Sequence, residues 1–169
     1  TPSYIVDYIV KNTLGRLLDG DDPAKPKPIA VSKAAEIKVL DPACGSGSFL
    51  IVAYQYLLDW HLRQYTADAE TNEPDEGKIK RHSGGKNPKI YQAPGGEWKL
   101  TTDERKRILL NNIHGVDIDS QAVEVTKLSL LLKVIEGETQ QVLQRDWILE
   151  RQRILPDLES NIKCGNSLI

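Results

Sequence analysis

Apolar residues fall at Ile5, Val6, Ile9, Val10, Leu14, Leu17 and Leu18, the spacing of one face of an amphipathic helix. The pattern predicts a helix with Thr1 as N-cap and Pro2 as first residue, packed on a sheet. Asp19–Pro28, rich in Asp, Lys and Pro, interrupts it and reads as an exposed loop. The apolar run Ile37–Leu40 then predicts a short buried strand that ends at Asp41. A second helix is expected from about Ser48, with Phe49, Leu50, Val52, Ala53, Tyr56, Leu57 and Trp60 inward, fading near Tyr65. From Thr66 to Gly96 the pattern turns polar and rich in Gly and Pro, which predicts an insertion of loops at about 66–100. Within it, Ile90-Tyr91 and Trp98–Leu100 are the candidate arms of a hairpin. Thr101 and Glu104 have the spacing of a capping box for a helix through Leu110.

Ile113–Val116 predicts a second strand ending at Asp117. Asp119 or Ser120 caps the next helix, whose expected apolar body is Val123, Leu128, Leu131, Leu132 and Ile135, ended by Gly137. A further helix is expected over Thr139–Arg151, and Asn161–Cys164 reads as a third strand opening into the loop Gly165-Asn166-Ser167. Strands that alternate with helices in this way predict an α/β fold with a parallel sheet. Such sheets bind ligands at the C-terminal ends of their strands.

The chemistry concentrates at the first of those ends. In Asp41-Pro42-Ala43-Cys44-Gly45-Ser46-Gly47-Ser48-Phe49-Leu50 an acid closes a strand just before a glycine-rich turn that opens a helix. A dinucleotide fold uses a similar turn to receive a pyrophosphate, but it expects a third glycine, and that position is Leu50 here. Asp41 would also repel a pyrophosphate. A carboxylate there suits a cationic ligand instead, such as the ammonium of the amino-acid end of S-adenosyl-L-methionine, beside its sulfonium. Asp117, at the end of the second strand, stands where an acid commonly accepts hydrogen bonds from ribose hydroxyls. The insertion delays it beyond the usual spacing from the glycines, so the strand-to-acid context carries the reading.

At this point the chain resembles a known family, the DNA adenine-N6 methyltransferases of type I and combined type II restriction-modification systems. Thr1-Pro2-Ser3-Tyr4-Ile5-Val6 is similar to that family's motif X, and the Asp41–Gly47 run to its motif I. Gly115-Val116-Asp117-Ile118-Asp119 is similar to motif II, and Cys164-Gly165-Asn166-Ser167-Leu168 to motif III. The resemblance implies a partial Rossmann-like, doubly wound methyltransferase fold that binds S-adenosyl-L-methionine. It implies cofactor contacts from Thr1, Asp41, Ala43, Cys44, Gly45, Ser46, Gly47, Asp117, Ile118, Asn166 and Ser167. By the same resemblance Thr1 touches the methionine end, Ile118 the adenine face, and Asn166 the adenine amine. The family acts on double-stranded DNA with the target base flipped out.

The family's catalytic motif, Asn or Asp followed by Pro-Pro and an aromatic residue, has no counterpart here. The sequence has no Pro-Pro pair, and Asn87-Pro88-Lys89 precedes motif II and reads as a loop. The chain therefore reads as the cofactor-binding part of a larger enzyme with no catalytic residue of its own; the absence of any Met agrees. Target-recognition and fused nuclease domains would lie outside it. A protein-glutamine or RNA methyltransferase, or a non-catalytic module with a methyltransferase-like shell, stand as alternatives.

Composition narrows the picture further. At 169 residues and 40% hydrophobic the chain is long enough for one core. A net charge of −2 and a pI near 5.9 argue against a self-sufficient nucleic-acid binder. The basic run Lys78–Lys89 reads first as a solvated loop, with DNA contact as the alternative. Cys44 and Cys164 form no C-x-x-C pair, which suits a reducing prokaryotic cytoplasm, and no apolar run is long enough for a bilayer. His61, His82 and His114 are scattered, so no metal site is expected.

Overall fold

The computed structural model describes residues 2–68, 71–138 and 155–168. Three short strands, β1 (Val39–Asp41), β4 (Ile113–Asp117) and β5 (Ile162–Cys164), form a parallel sheet in the order β1-β4-β5. The register pairs Asp41 with Gly115 and Asp117 with Cys164, so all three strands end at one edge. Two further strands, β2 (Ile90–Gln92) and β3 (Trp98–Leu100), make the antiparallel hairpin expected at about 66–100. This is a mixed α/β fold with a parallel sheet, as the alternation of elements predicts.

The helix α4 (Ser48–Thr66) organises the core. It packs on β1, β4, α6 (Thr102–Asn112) and α7 (Ser120–Ile135), and its buried residues include Leu50, Ala53, Tyr54, Leu57 and Trp60. Two of its buried aromatics have partners for their polar tips. The Tyr54 hydroxyl donates to the Arg105 carbonyl at 2.9 Å, and Trp60 Nε1 donates to Asp19 Oδ1 at 2.8 Å. Two buried asparagines tie the ends of β4 and β5 to their surroundings. Asn112 Nδ2 donates to the carbonyls of Ala34 and Ile37, and Asn161 Nδ2 to those of Leu110 and Ile113.

Several sequence expectations are corrected. The first helix, α1 (Ser3–Val10), starts one residue late because Pro2 is extended, at ψ 138°, and serves as N-cap. A π-turn over Lys11–Gly15 joins it to α2 (Arg16–Asp19). Only Val6, Val10, Leu14 and Leu18 of the apolar stripe are buried, while Ile5, Ile9 and Leu17 stay open. Strict four-residue spacing drifts around an ordinary helix, and the wider π-turn brings Leu14 and Leu18 back to the inner side. The helix packs against α4, which itself lies on the sheet. The strand β1 is not buried as expected: among the described residues it lies at the edge of the sheet, and Leu40 is 59% exposed.

The insertion holds more than loops. Between α4 and the hairpin lies α5 (Glu76–Ser83), capped by Asp75, whose carboxylate accepts the Lys78 N–H at 3.0 Å. Acid at its start and Lys80, Arg81 and His82 in its last turn suit the helix dipole. The capping box of α6 is half formed. Thr101 Oγ1 accepts the Glu104 N–H, but the Thr101 N–H goes to the Lys89 carbonyl. The freed Glu104 carboxylate is buried and takes Tyr65, Arg107 and Lys89 instead. In α7 the inner stripe is Val123, Thr126, Leu130 and Val134, with Leu128 and Leu132 more than half exposed. A run as apolar as Leu130–Ile135 does not fix its own phase, and the hydrogen bond of Thr126 helps to set it. The helix expected over Thr139–Arg151 lies outside the described residues.

Candidate functional site

The strand ends, the glycine turn and the loop after β5 meet at the C-terminal edge of the sheet. The turn is built by backbone groups. Cys44 donates its N–H to the Val116 carbonyl at 3.0 Å and accepts the Gly47 N–H at 2.8 Å. Gly45 and Gly47 have φ of +53° and +80°, a left-handed backbone that other residues adopt at a cost. Gly47 is the N-cap of α4, and Ile51 N–H donates to its carbonyl at 2.9 Å. A Cβ on Gly47 would lie 2.8 Å from Thr126 Cγ2, so sterics as well as φ require glycine. Space is also tight at Gly115, where a Cβ would meet Leu50 Cδ1 at 2.8 Å and Cys44 Sγ at 3.2 Å. That close approach lets β4 pass directly beneath the turn.

Asp117 joins the two strand ends. Its Oδ2 accepts the Gly45 N–H at 2.7 Å and its Oδ1 the Asp119 N–H at 2.9 Å. These backbone N–H groups hold the carboxyl below the usual carboxylate range. Its carbonyl accepts the Gly165 N–H at 2.9 Å, which draws the third loop alongside. The Asp41 carboxylate caps its own turn, with Oδ1 accepting the Ala43 N–H at 3.1 Å, and remains partly exposed.

Asp41, Gly45, Asp117 and Asn166 thus sit at neighbouring strand ends of one edge. Ala43 and Ser46 are exposed on the turn, and Ile118 is 77% exposed just past Asp117. Cys44 faces inward; burial pushes its thiol up, so it is a packing residue of the turn rather than a reactive group. Asn166 and Ser167 are exposed, and Asn166 Oδ1 accepts the Leu168 N–H at 2.9 Å, an Asx turn that leaves the oxygen one free lone pair. Thr1 lies outside the described residues.

Sequence reasoning passed over Thr126 and gave Gly115, named within motif II, no role of its own. Thr126 left one signal, a polar residue at the inner positions of an apolar helix, three after Val123 and four before Leu130. Gly115 left its place in the motif II run, a glycine inside a strand. The concavity bordered by Lys11, Arg16, Asp19, Tyr56 and Arg63, about 620 Å³, lies away from this edge. Its Asp19 is already held by Trp60 at 2.8 Å and by Arg63 at 2.7 Å. No cluster of metal-ligating side chains occurs among the described residues, and no described helix is long and apolar enough to cross a membrane.

The fold and site define an α/β domain whose parallel strands end together beside a glycine turn flanked by two acids. The chain belongs to the family of the MmeI DNA-methyltransferase domain, whose model matches residues 28–169. It is 32% identical to the type II restriction enzyme and methyltransferase RM.Eco57I of Escherichia coli over 169 residues, 100% of this chain and 14% of that protein. It is 30% identical to the adenine-specific methyltransferase BrxX of Escherichia coli O9:H4 over 156 residues, 78% of this chain and 10% of that protein. The chain therefore spans only a small part of the length of these relatives. Membership in a methyltransferase family implies a methyl donor.

Proposed function

We propose that this chain is the S-adenosyl-L-methionine-binding part of a DNA methyltransferase that modifies adenine at N6 in a restriction-modification system. The observation that carries the reading is the Asp117 carboxylate, joined to the motif I turn through Gly45 at the sheet edge. The three parallel strands are, in this reading, part of a doubly wound Rossmann-like sheet. Family membership favours DNA as the substrate over protein or RNA.

The residues present fit the cofactor. Asp41 is partly exposed and free to take an ammonium, and Asp117 keeps lone pairs for ribose hydroxyls beyond the two it gives to backbone. Ile118 presents an apolar surface for adenine, with Asn166 and Ser167 on the next loop. The bound cofactor would supply an electrophilic methyl group on a sulfonium, open to attack by an amine lone pair. The chain's own part is then to bind and orient. Its glycines admit close approach, its acids match the cationic amino-acid end and the ribose, and no nucleophilic side chain is required. Positioning of the target amine is assigned to an Asn- or Asp-Pro-Pro-aromatic segment, which this sequence does not contain.

The test is transfer of a tritiated methyl group by the whole protein to unmodified DNA, followed by nucleoside analysis. Label in N6-methyladenine supports the proposal; label in cytosine, RNA or protein overturns it.

A further inference from the structure

Within Cys44–Gly47, three backbone N–H groups have acceptors in the chain: Cys44 on Val116, Gly45 on Asp117 and Gly47 on Cys44. Ser46 N–H has none among the described residues, and Ser46 is exposed. The direction of that N–H follows from a buried residue on another element. Thr126, fully buried on α7, donates its hydroxyl to the Gly45 carbonyl at 2.8 Å. Peptide bonds here are trans, so the Gly45 C=O and the Ser46 N–H of one peptide unit point in opposite directions. Pulling the carbonyl inward turns the N–H outward, to the open side of the turn.

We propose that Thr126 is a positioning residue for ligand binding, which aims the Ser46 N–H into the crevice as a donor to an acceptor atom of the cofactor. Thr126 is buried and does not meet the ligand; its effect on the Ser46 N–H runs through Gly45. Asp117 fixes the peptide on the N-terminal side of Gly45, and Thr126 fixes the one on its C-terminal side. The same side chain fills the space beside Gly47, so it also holds the N-cap of α4 against α7. Valine has the shape of threonine but cannot donate, and it would release the Gly45 carbonyl and with it the plane of the Gly45-Ser46 peptide.

The proposal rests on the cofactor reading above, and the experiment separates the two. Calorimetry with S-adenosylhomocysteine, well below each melting temperature, compares the wild type with Thr126→Val, Thr126→Ser and Leu130→Ala. The expected result is binding about tenfold weaker for Thr126→Val, the effect of one hydrogen bond. Thr126→Ser, which keeps the donor, stays close to wild type. Leu130→Ala opens a cavity on the same helix face, lowers the melting temperature and leaves affinity unchanged. Wild-type affinity in Thr126→Val, or an equal loss in Leu130→Ala, overturns the proposal. Should Thr126→Val not fold, Thr126→Ala is read in its place by the same criteria. A second measurement needs no ligand: in ¹H–¹⁵N spectra Thr126→Val shifts the Gly45 and Ser46 amides and Leu130→Ala does not. A wild type that binds no cofactor refutes the cofactor reading, and the amide shifts then decide the role of Thr126, with unmoved Gly45 and Ser46 signals counting against it.

Discussion

The carboxylate of Asp117 accepts the backbone N–H of Gly45 at 2.7 Å, linking residues that lie 72 apart in sequence. One charged group thereby holds the glycine turn to the end of the neighbouring strand. The bond explains why the acid must close β4: one residue earlier, the side chain would point to the other face of the sheet. Its other oxygen takes the N–H of Asp119, the residue whose own carboxylate caps α7 by accepting the Gln121 N–H.

Asp117→Asn should therefore weaken cofactor binding by at least tenfold. An amide has one acceptor oxygen and cannot serve both N–H groups and a ribose hydroxyl. Calorimetric titration with S-adenosylhomocysteine checks this, and unchanged affinity would separate Asp117 from the ligand.

Ile118 gives a cleaner separation of binding from folding. Because its side chain is 77% exposed, Ile118→Ser should change stability by no more than about 0.5 kcal/mol. If it forms the adenine wall, cofactor affinity should nevertheless fall several-fold. Melting curves and titrations on the same samples measure both.

Gly115→Ala should destabilise the protein by about 1–3 kcal/mol, because its methyl group would enter the space of Leu50 Cδ1 and Cys44. Urea unfolding measures the cost. A neutral substitution would show that β4 does not pass as close beneath the turn as described.

A pH dependence follows from His61. Burial pulls its imidazole down to about 4, against the bond that its Nδ1 makes to the Leu57 carbonyl, while the unfolded value is near 6.5. The folded pKa is depressed, so this contribution is fully present above 6.5 and lost as pH falls toward 4. It amounts to about 3 kcal/mol. Glu104 adds to the loss at the lower end. Burial alone would raise its carboxyl, but the bonds from Arg107 and Tyr65 hold it at about 2, below its unfolded value of 4.5. Urea midpoints at several pH values test this, and His61→Phe should flatten the upper part of the decline.

Much of this was legible in the sequence, for identifiable reasons. The acid-to-glycine run at Asp41–Gly47 and the strand ending at Asp117 are local patterns, and they appear where the pattern puts them. The inner face of α7 was not legible. Leu128 and Leu132 look like core by type, and the phase that leaves them outside rests on contacts distant in sequence: Val123, Leu130 and Val134 in the core, and the bond from Thr126 to Gly45, 81 residues away. Similarly, Glu104 has the spacing of a capping residue, yet burial beside Arg107 and Tyr65 gives it stronger partners than the Thr101 N–H. The helix α5 was hidden because Ile79 is its one apolar side chain; the Asp75 cap, Ile79 against the core and His82 beside the Tyr65 ring hold it in place.

The central claim, a cofactor crevice at the C-terminal edge of the sheet, is tested most directly by adding S-adenosylhomocysteine to ¹⁵N-labelled protein and following the amide resonances. The account predicts shifts at Gly45, Ser46, Ile118 and Asn166, with those of Lys11, Arg16 and Arg63 unmoved. Shifts confined to the Lys11–Arg63 cleft, or the same crevice shifts on adding a nicotinamide dinucleotide, would contradict it.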